Sequence, residues 1–164
     1  MNGVRLREAT EADRSAIWAI MEPTIRAGET YALDRDATRQ DAFGFWFAPS
    51  TEVFVAETSG DGVVGTYRLA PNHAGGGSHV ANCGYMTSSK ASGRGIGAAM
   101  CAHSLERARE RGYRAMQFNF VVSTNARAIA LWKRFGFEEV GRLPNAFLHP
   151  EKGYVDVLVM YRPL

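Results

Sequence analysis

The chain reads Ser92-Gly93-Arg94-Gly95-Ile96-Gly97 at the mouth of a long amphipathic helix, directly after an apolar-rich strand. Further along it reads Asn125-Ala126-Arg127-Ala128-Ile129-Ala130-Leu131-Trp132-Lys133-Arg134-Phe135-Gly136-Phe137. A glycine loop feeding a helix N-terminus is a way to hold phosphate. The first helical amides have no intrachain partner, and the aligned peptide dipoles leave partial positive charge there. Only glycine lets a phosphate approach those amides closely.

Outward from the loop, periodicity predicts the remaining elements. His79–Thr87 is the strand entering the loop, and a helix of about residues 95–111 leaves it. That helix carries Ile96, Met100 and Leu105 on one side and Glu106, Arg107, Arg109, Glu110 and Arg111 on the other. Gly112 suits its left-handed stop. Arg114–Val122 is a strand, Asn125–Phe135 a helix, and Gly136 a second stop. Toward the start, Val4 and Leu6 alternate with Arg5 and Arg7 in a strand over 3–8. Thr10-Glu11-Ala12-Asp13 resembles a capping box, with Asp in place of Glu or Gln. The helix it opens buries Ile17, Trp18, Ile20 and Met21, and Pro23 is expected to bend or interrupt it. Gly28–Tyr31 reads as a loop. Thr38 opens a short helix with Phe43, Trp46 and Phe47 that ends near Pro49. Glu52–Thr58 and Val63–Ala70 form a hairpin, and 71–77 a glycine-rich bend. Strands near 137–143 and 153–162 flank a loop rich in Pro, Asn and His. The order reads βααββββαβαββ, with the bend its ambiguous element. It predicts one α/β domain over residues 1–164, a mixed sheet covered by helices.

Composition narrows the function. With 46% apolar residues the chain is globular, and 164 residues can bury about two-thirds of the unfolded surface. A net charge of +2 with no basic stripe argues against nucleic acid. No apolar run approaches ~20 residues, and the start, MNGVRLREAT, does not read as a leader, so a cytoplasmic protein off the membrane is expected. Cys83 and Cys101 make no disulfide or metal pattern and read as buried reduced thiols. No metal site is expected.

The glycine loop lacks the Lys-Ser/Thr ending of a nucleotide-hydrolysing loop. It also fits a dinucleotide fingerprint poorly, because the next strand ends in Phe120, Val121 and Val122 without an acidic ribose partner. In combination with the Asn125–Phe137 stretch, however, it resembles the GCN5-related N-acetyltransferase (GNAT) family over nearly the whole chain. The resemblance implies the GNAT fold: a mixed, mostly antiparallel sheet with one splayed parallel pair and helices on both faces. It also implies acetyl transfer from acetyl-coenzyme A to an amine. Ser92, Gly93, Arg94, Gly95, Ile96 and Gly97 would match the pyrophosphate loop. Asn125 would bond the pantetheine arm, with Ala128 and Trp132 alongside, and a main-chain amide near Met86 or Thr87 would polarise the thioester carbonyl. Trp132 stands where the family often has a tyrosine that protonates the departing thiolate. An indole cannot do this, so a core aromatic is the stronger reading of Trp132.

Related enzymes acting on small amines often place a glutamate as general base on the strand before the loop. Here that position holds Asn82, and Val80–Thr87 contains no carboxylate. Asn82, Asn119 and Asn125, with Gly28-Glu29-Thr30-Tyr31, resemble fungal acetyltransferases that detoxify azetidine-2-carboxylate. Phosphinothricin-type acetyltransferases are the next resemblance. This points to a small amino-acid-like acceptor, with Asn82 and Asn119 as catalytic candidates and Glu29, Thr30, Tyr31 and Tyr154 as substrate candidates. If the faces of their strands coincide, Asn82 and Asn119 flank the thioester; otherwise they are buried amides bonded to neighbouring backbone. Asn145 and His149 are weaker candidates on the last hairpin, and His73 and His79 receive no role. The alternatives are acetylation of a protein N-terminus or lysine, and a coenzyme A-binding sensor without chemistry. A homodimer is implied by the resemblance alone.

Overall fold

A computed structural model describes residues 3–164; Met1 and Asn2, the first two residues of the stretch read as lacking a leader, lie outside it. The elements are β1 (Arg5–Glu8), α1 (Arg14–Ala27), α2 (Arg39–Trp46), β2 (Glu52–Thr58), β3 (Gly62–Pro71), β4 (Val80–Thr87), α3 (Ile96–Glu110), β5 (Ala115–Val122), α4 (Ala126–Arg134), β6 (Glu138–His149) and β7 (Gly153–Pro163). All seven strands lie in one sheet of order β1-β2-β3-β4-β5-β7-β6. Every neighbouring pair is antiparallel except β4–β5. The expected mixed sheet and its single parallel pair are therefore present.

The two faces carry separate apolar cores. Ile17, Ile20, Met21 and Ile25 of α1 pack with Trp46 of α2 against Val53, Val55 and Met86. On the other face, Met100 and Leu105 of α3 and Trp132 of α4 pack against Met116, Phe118 and Met160. Helices thus cover both faces, as the resemblance implies.

Three expectations need correction. Pro23 does not interrupt α1, which runs from Arg14 to Ala27. An interior proline costs about 3 kcal/mol. Four buried apolar side chains at ~1.5–3 kcal/mol each outweigh that. Ala19, whose carbonyl loses its partner to the ring, is exposed to water. The central run holds three strands rather than four, because the bend after Pro71 contains only a 3-10 turn at Gly75–Gly77. Finally, the expected loop after residue 143 is mostly strand. The β6–β7 register moves from Leu143↔Val157 to Phe147↔Val155, so Pro144, Asn145 and Ala146 form a bulge on an edge strand. There a proline removes no ladder bond that the sheet needs. Asn145 adopts φ +52° and donates its backbone N–H to the Asp156 carboxylate at 3.0 Å.

The Thr10–Asp13 capping box forms, but it opens a 3-10 turn, Glu11–Asp13, that leads into α1. The Thr10 N–H donates to Asp13 at 2.7 Å, and both terminal nitrogens of Arg7 donate to the same carboxylate. This ties β1 to the start of α1.

Candidate active site

β4 and β5 pair only over Val80–Asn82 against Ala115–Gln117. Beyond that both strands continue unpaired with each other, and the sheet opens into a wedge. Main-chain groups alternate in direction along an antiparallel strand. The Ser88 N–H donates to Val64 and the Val80 carbonyl accepts from Asn72, so even-numbered residues of β4 point at β3. Tyr85 and Thr87 therefore turn their amides into the wedge, and Met86 does not. Consistently, the Tyr85 carbonyl accepts a 2.9 Å bond from the Tyr31 hydroxyl instead of from a strand.

A cleft of about 930 Å³ passes through this wedge, within the range typical of ligand sites. One end is the glycine loop. Gly93 and Gly95 take φ +81° and +79°, conformations that an L side chain adopts only with strain, and both line the cleft at the N-terminus of α3. Ser92, Ile96 and Gly97 also line it. Arg94 does not: its guanidinium pairs with Asp61 of the β2–β3 turn at 2.7 Å, which holds that carboxyl below the usual range. The cation over the loop is Arg127, bonded to the Ser92 hydroxyl at 2.7 Å. Sequence reading missed Arg127. Its signal is its place in the first turn of the helix that Asn125 opens.

Asn125 caps α4 by accepting from the Ala128 N–H at 3.4 Å, which leaves its NH₂ group for a ligand carbonyl. Ala128 and Trp132 line the cleft. Trp132 is buried, its ring 4.8 Å from Tyr85 and 5.0 Å from Phe118 between centroids.

The other end of the cleft lies under α1 and α2. Thr30, Tyr31 and Leu33 from the loop between them, Phe45 of α2, and Arg68 of β3 surround Asn82 and Gly84. The Asn82 NH₂ donates to the Gln117 carbonyl at 3.1 Å, and its oxygen accepts from Arg68 at 3.3 Å. Because Asn82 pairs in parallel with Gln117, the set Asn82, Gly84, Met86 shares a face with Gln117 and Asn119, whereas a bulge between Phe118 and Val121 turns Val121 into the opposite core. Asn119 is exposed to the cleft, accepts from Gln117 at 2.8 Å and donates to Asn72 at 2.7 Å. Arg68, Phe45 and Asn72 had no sequence signal. Among the candidates, Glu29 and Tyr154 do not line the cleft; Tyr154 is 69% exposed on the last hairpin. His149 is buried and accepts from the N–H groups of Glu151 and Lys152, which shapes the β6–β7 turn.

The charge inventory of the cleft is sparse. No carboxylate, histidine or lysine lines the cleft among the described residues. Burial raises the phenols of Tyr31 and Tyr85 and pushes the Cys83 thiol up to about 12, so all three stay protonated at neutral pH. Both cysteines are free and buried. No group of His, Cys, Asp and Glu among the described residues could hold a metal ion, and no described helix is long and apolar enough to cross a membrane.

Comparison with known proteins places this geometry. Residues 15–137 match the family model described as the acetyltransferase (GNAT) family. The chain is 31% identical over 151 residues to the N-acetyltransferase aca1 of Schizosaccharomyces pombe, covering 82% of this chain and 72% of that one. A GCN5-related N-acetyltransferase from Kribbella flavida is 41% identical with a TM-score of 0.94, covering 98% of both chains. A ribosomal-protein-alanine N-acetyltransferase from Brucella melitensis is 30% identical with a TM-score of 0.83, covering 98% of this chain and 99% of that one. A splayed parallel pair, a glycine loop at the N-terminus of α3 and an Asn-capped α4 are here joined to a family match over most of the chain: the protein belongs to the GNAT family and is an acetyl-coenzyme A-dependent N-acetyltransferase.

Proposed function

We propose that the enzyme acetylates the amine of a small amino-acid-like molecule, as a detoxifying or modifying activity in the cytoplasm. The observation that carries this reading is the roof of the cleft. Tyr31, Leu33 and Phe45 line the same end of the cleft as Asn82, and such an apolar wall beside the two amides suits a small acceptor. The Brucella relative favours a second reading, in which the acceptor is the N-terminal amine of a protein.

Acetyl-coenzyme A supplies an activated acetyl thioester. The loop 92–97, the N-terminus of α3 and Arg127 are suited to its pyrophosphate, and Asn125 to its amide arm. The Tyr85 and Thr87 amides, pointed into the wedge, are suited to a carbonyl on which negative charge develops. The acceptor must reach the wedge as its free base, because a protonated nitrogen has no lone pair. With no general base in the cleft, water takes up the proton released when the C–N bond forms. Asn82 and Asn119 orient the amine, so rate acceleration comes from positioning and fixed dipoles. Trp132 donates no proton to the leaving thiolate, which is left to solvent. A homodimer is also proposed. It is supported by Val140, Leu143, Leu148 and Tyr154, which expose an apolar surface on the β6–β7 hairpin.

The test is thiol release from acetyl-coenzyme A with proline analogues, methionine derivatives, phosphinothricin and N-terminal peptides as acceptors. Turnover on a free amino acid is expected. Turnover confined to peptides would overturn the small-acceptor reading in favour of the second.

A further inference from the structure

Arg68 is a buried cation without an anion. It is 8% exposed, and no carboxylate lies within ion-pair distance of it among the described residues. Arg7, by contrast, is held by Asp13 and Glu57, and Arg107 by Glu52 and Glu110. A guanidinium has five N–H donors. Two of those of Arg68 are used, Nη1 to the Asn82 oxygen and Nη2 to the Thr51 hydroxyl, both at 3.3 Å. Nε is buried with no partner. One further N–H remains on each terminal nitrogen.

The surroundings hold this group in place without neutralising it. The guanidinium carbon lies 4.7 Å from the Phe45 ring centroid. Gly84, paired with Arg68 across β3–β4, leaves room above the strand. A Cβ there would come within 3.1 Å of the Tyr31 hydroxyl and 3.6 Å of Arg68 Cγ. Burial also pulls the Arg68 pKa down, the mark of a cation that lacks compensation in the free protein. Leaving a desolvated charge unpaired is costly, and a ligand that supplies the missing anion recovers that cost.

The geometry points to Arg68 as the receptor for the carboxylate of the acceptor, making α-amino acids and their close analogues the substrate class. This rests on the small-acceptor reading above. The phosphates of the donor belong at the glycine loop, beyond the C-terminal end of β4, whereas Arg68 stands level with Gly84. A planar guanidinium with one free N–H on each terminal nitrogen matches the two oxygens of a carboxylate. Neighbouring strands lie about 5 Å apart, so an amine at the wedge edge of β4 and a carboxylate at Arg68 fit within one compact amino acid. Asn82 then has a second task, holding the guanidinium in register with the amine. A cation beside the amine also disfavours its protonated form, which assists a site that has no base.

The test uses the full-length chain and matched acceptors: an amino acid that turns over, its carboxamide and its decarboxylated amine. Wild type is expected to favour the acid in kcat/KM by roughly 10- to 150-fold, expressed mainly in KM, the range of a charge-assisted bond. Arg68→Gln should bring the ratio close to one, and Arg68→Lys should retain part of it. Coenzyme A affinity by calorimetry should stay unchanged in both. The Arg68→Met variant should melt no lower than wild type, because it removes an uncompensated buried charge. Equal use of acid and carboxamide by wild type, or a preserved preference in Arg68→Gln, overturns the proposal. Thermal shift by amino acids without donor separates the two readings. An Arg68-dependent shift without turnover would uphold Arg68 and defeat the small-acceptor reading. Peptide turnover with no amino-acid shift would defeat both.

Discussion

Replacing Gly95 by alanine separates the two reasons for a glycine in the phosphate loop. Gly95 is the N-cap of α3 at φ +79°, and an added Cβ would meet nothing within 4 Å. No packing penalty arises, so the whole cost in the free protein is backbone. Holding an L residue in the left-handed region costs about 1–2 kcal/mol. Alanine also restricts the unfolded chain, which offsets about 0.4–1 kcal/mol of that. A net loss of about 1 kcal/mol follows, or roughly 2–4 °C in Tm for a chain of this size. Asparagine tolerates the same conformation, so Gly95→Asn should melt near wild type. Both variants, however, place a Cβ where a phosphate would approach the α3 amides. Calorimetry with coenzyme A, which needs no knowledge of the acceptor, should show both binding about tenfold more weakly, a loss of ~1.4 kcal/mol. Wild-type affinity in Gly95→Ala would refute the phosphate-cradle reading. An equal drop in Tm for Ala and Asn would refute the strain argument.

Other consequences can be checked directly. Asn82→Ala should lower turnover by about 10²-fold, the scale of losing one oriented polar group in a reaction site, while coenzyme A affinity holds. Unchanged turnover with a good acceptor would remove Asn82 from the chemistry. With Tyr31, Cys83 and Tyr85 all raised by burial, no cleft group titrates near neutrality. The kcat/KM profile should therefore climb with unit slope up to the acceptor amine's own pKa and should move when an acceptor of different amine pKa is used. A limb fixed near pH 6–7 for every acceptor would reveal an enzyme base. Asp13 supplies a stability test. The Arg7 guanidinium holds its carboxyl well below the usual carboxylate range. Its stabilisation is thus complete above the unfolded value of about 4 and fades as pH falls below it. Asp13→Asn should cost ~1.5–3 kcal/mol in urea denaturation at pH 7, with the gap to wild type narrowing below about pH 4.

Local features were the legible ones. The glycine stops at 112 and 136, the Thr38 and Asn125 caps, and the β2–β3 hairpin are each decided within a few residues, and the elements fall where those residues put them. Long-range pairing was not legible. Arg68 reads in sequence as one polar residue in a strand, and its meaning comes from facing Gly84 across β3–β4 under Phe45. Arg127 reads as an exposed helical charge until α4 docks beside Ser92. Glu29 is a candidate because the loop after the first helix resembles an acceptor-pocket loop, but it is exposed and off the cleft while Tyr31 reaches the Tyr85 carbonyl. Pro144 falls in the expected loop after residue 143, because a single sequence does not reveal that its strand lies at the sheet's edge.

That edge strand has a further consequence. β1, at the opposite margin, is four residues long, whereas β6 presents twelve, largely exposed and bearing Val140, Leu143 and Leu148. A straight margin of that length would invite strand-by-strand accretion of other chains, the route to fibrils. Register shifts at Glu139–Gly141 and Leu143–Phe147 break it into three short runs out of step with one another, and Pro144 withholds one of the N–H groups that a docking strand would need. An incoming β-strand thus meets a template it cannot follow past a few residues, while a side-on apolar contact remains open. The bulge acts as a safeguard on colloidal behaviour, far from the chemistry, and straightening it is expected to show first as aggregation during refolding.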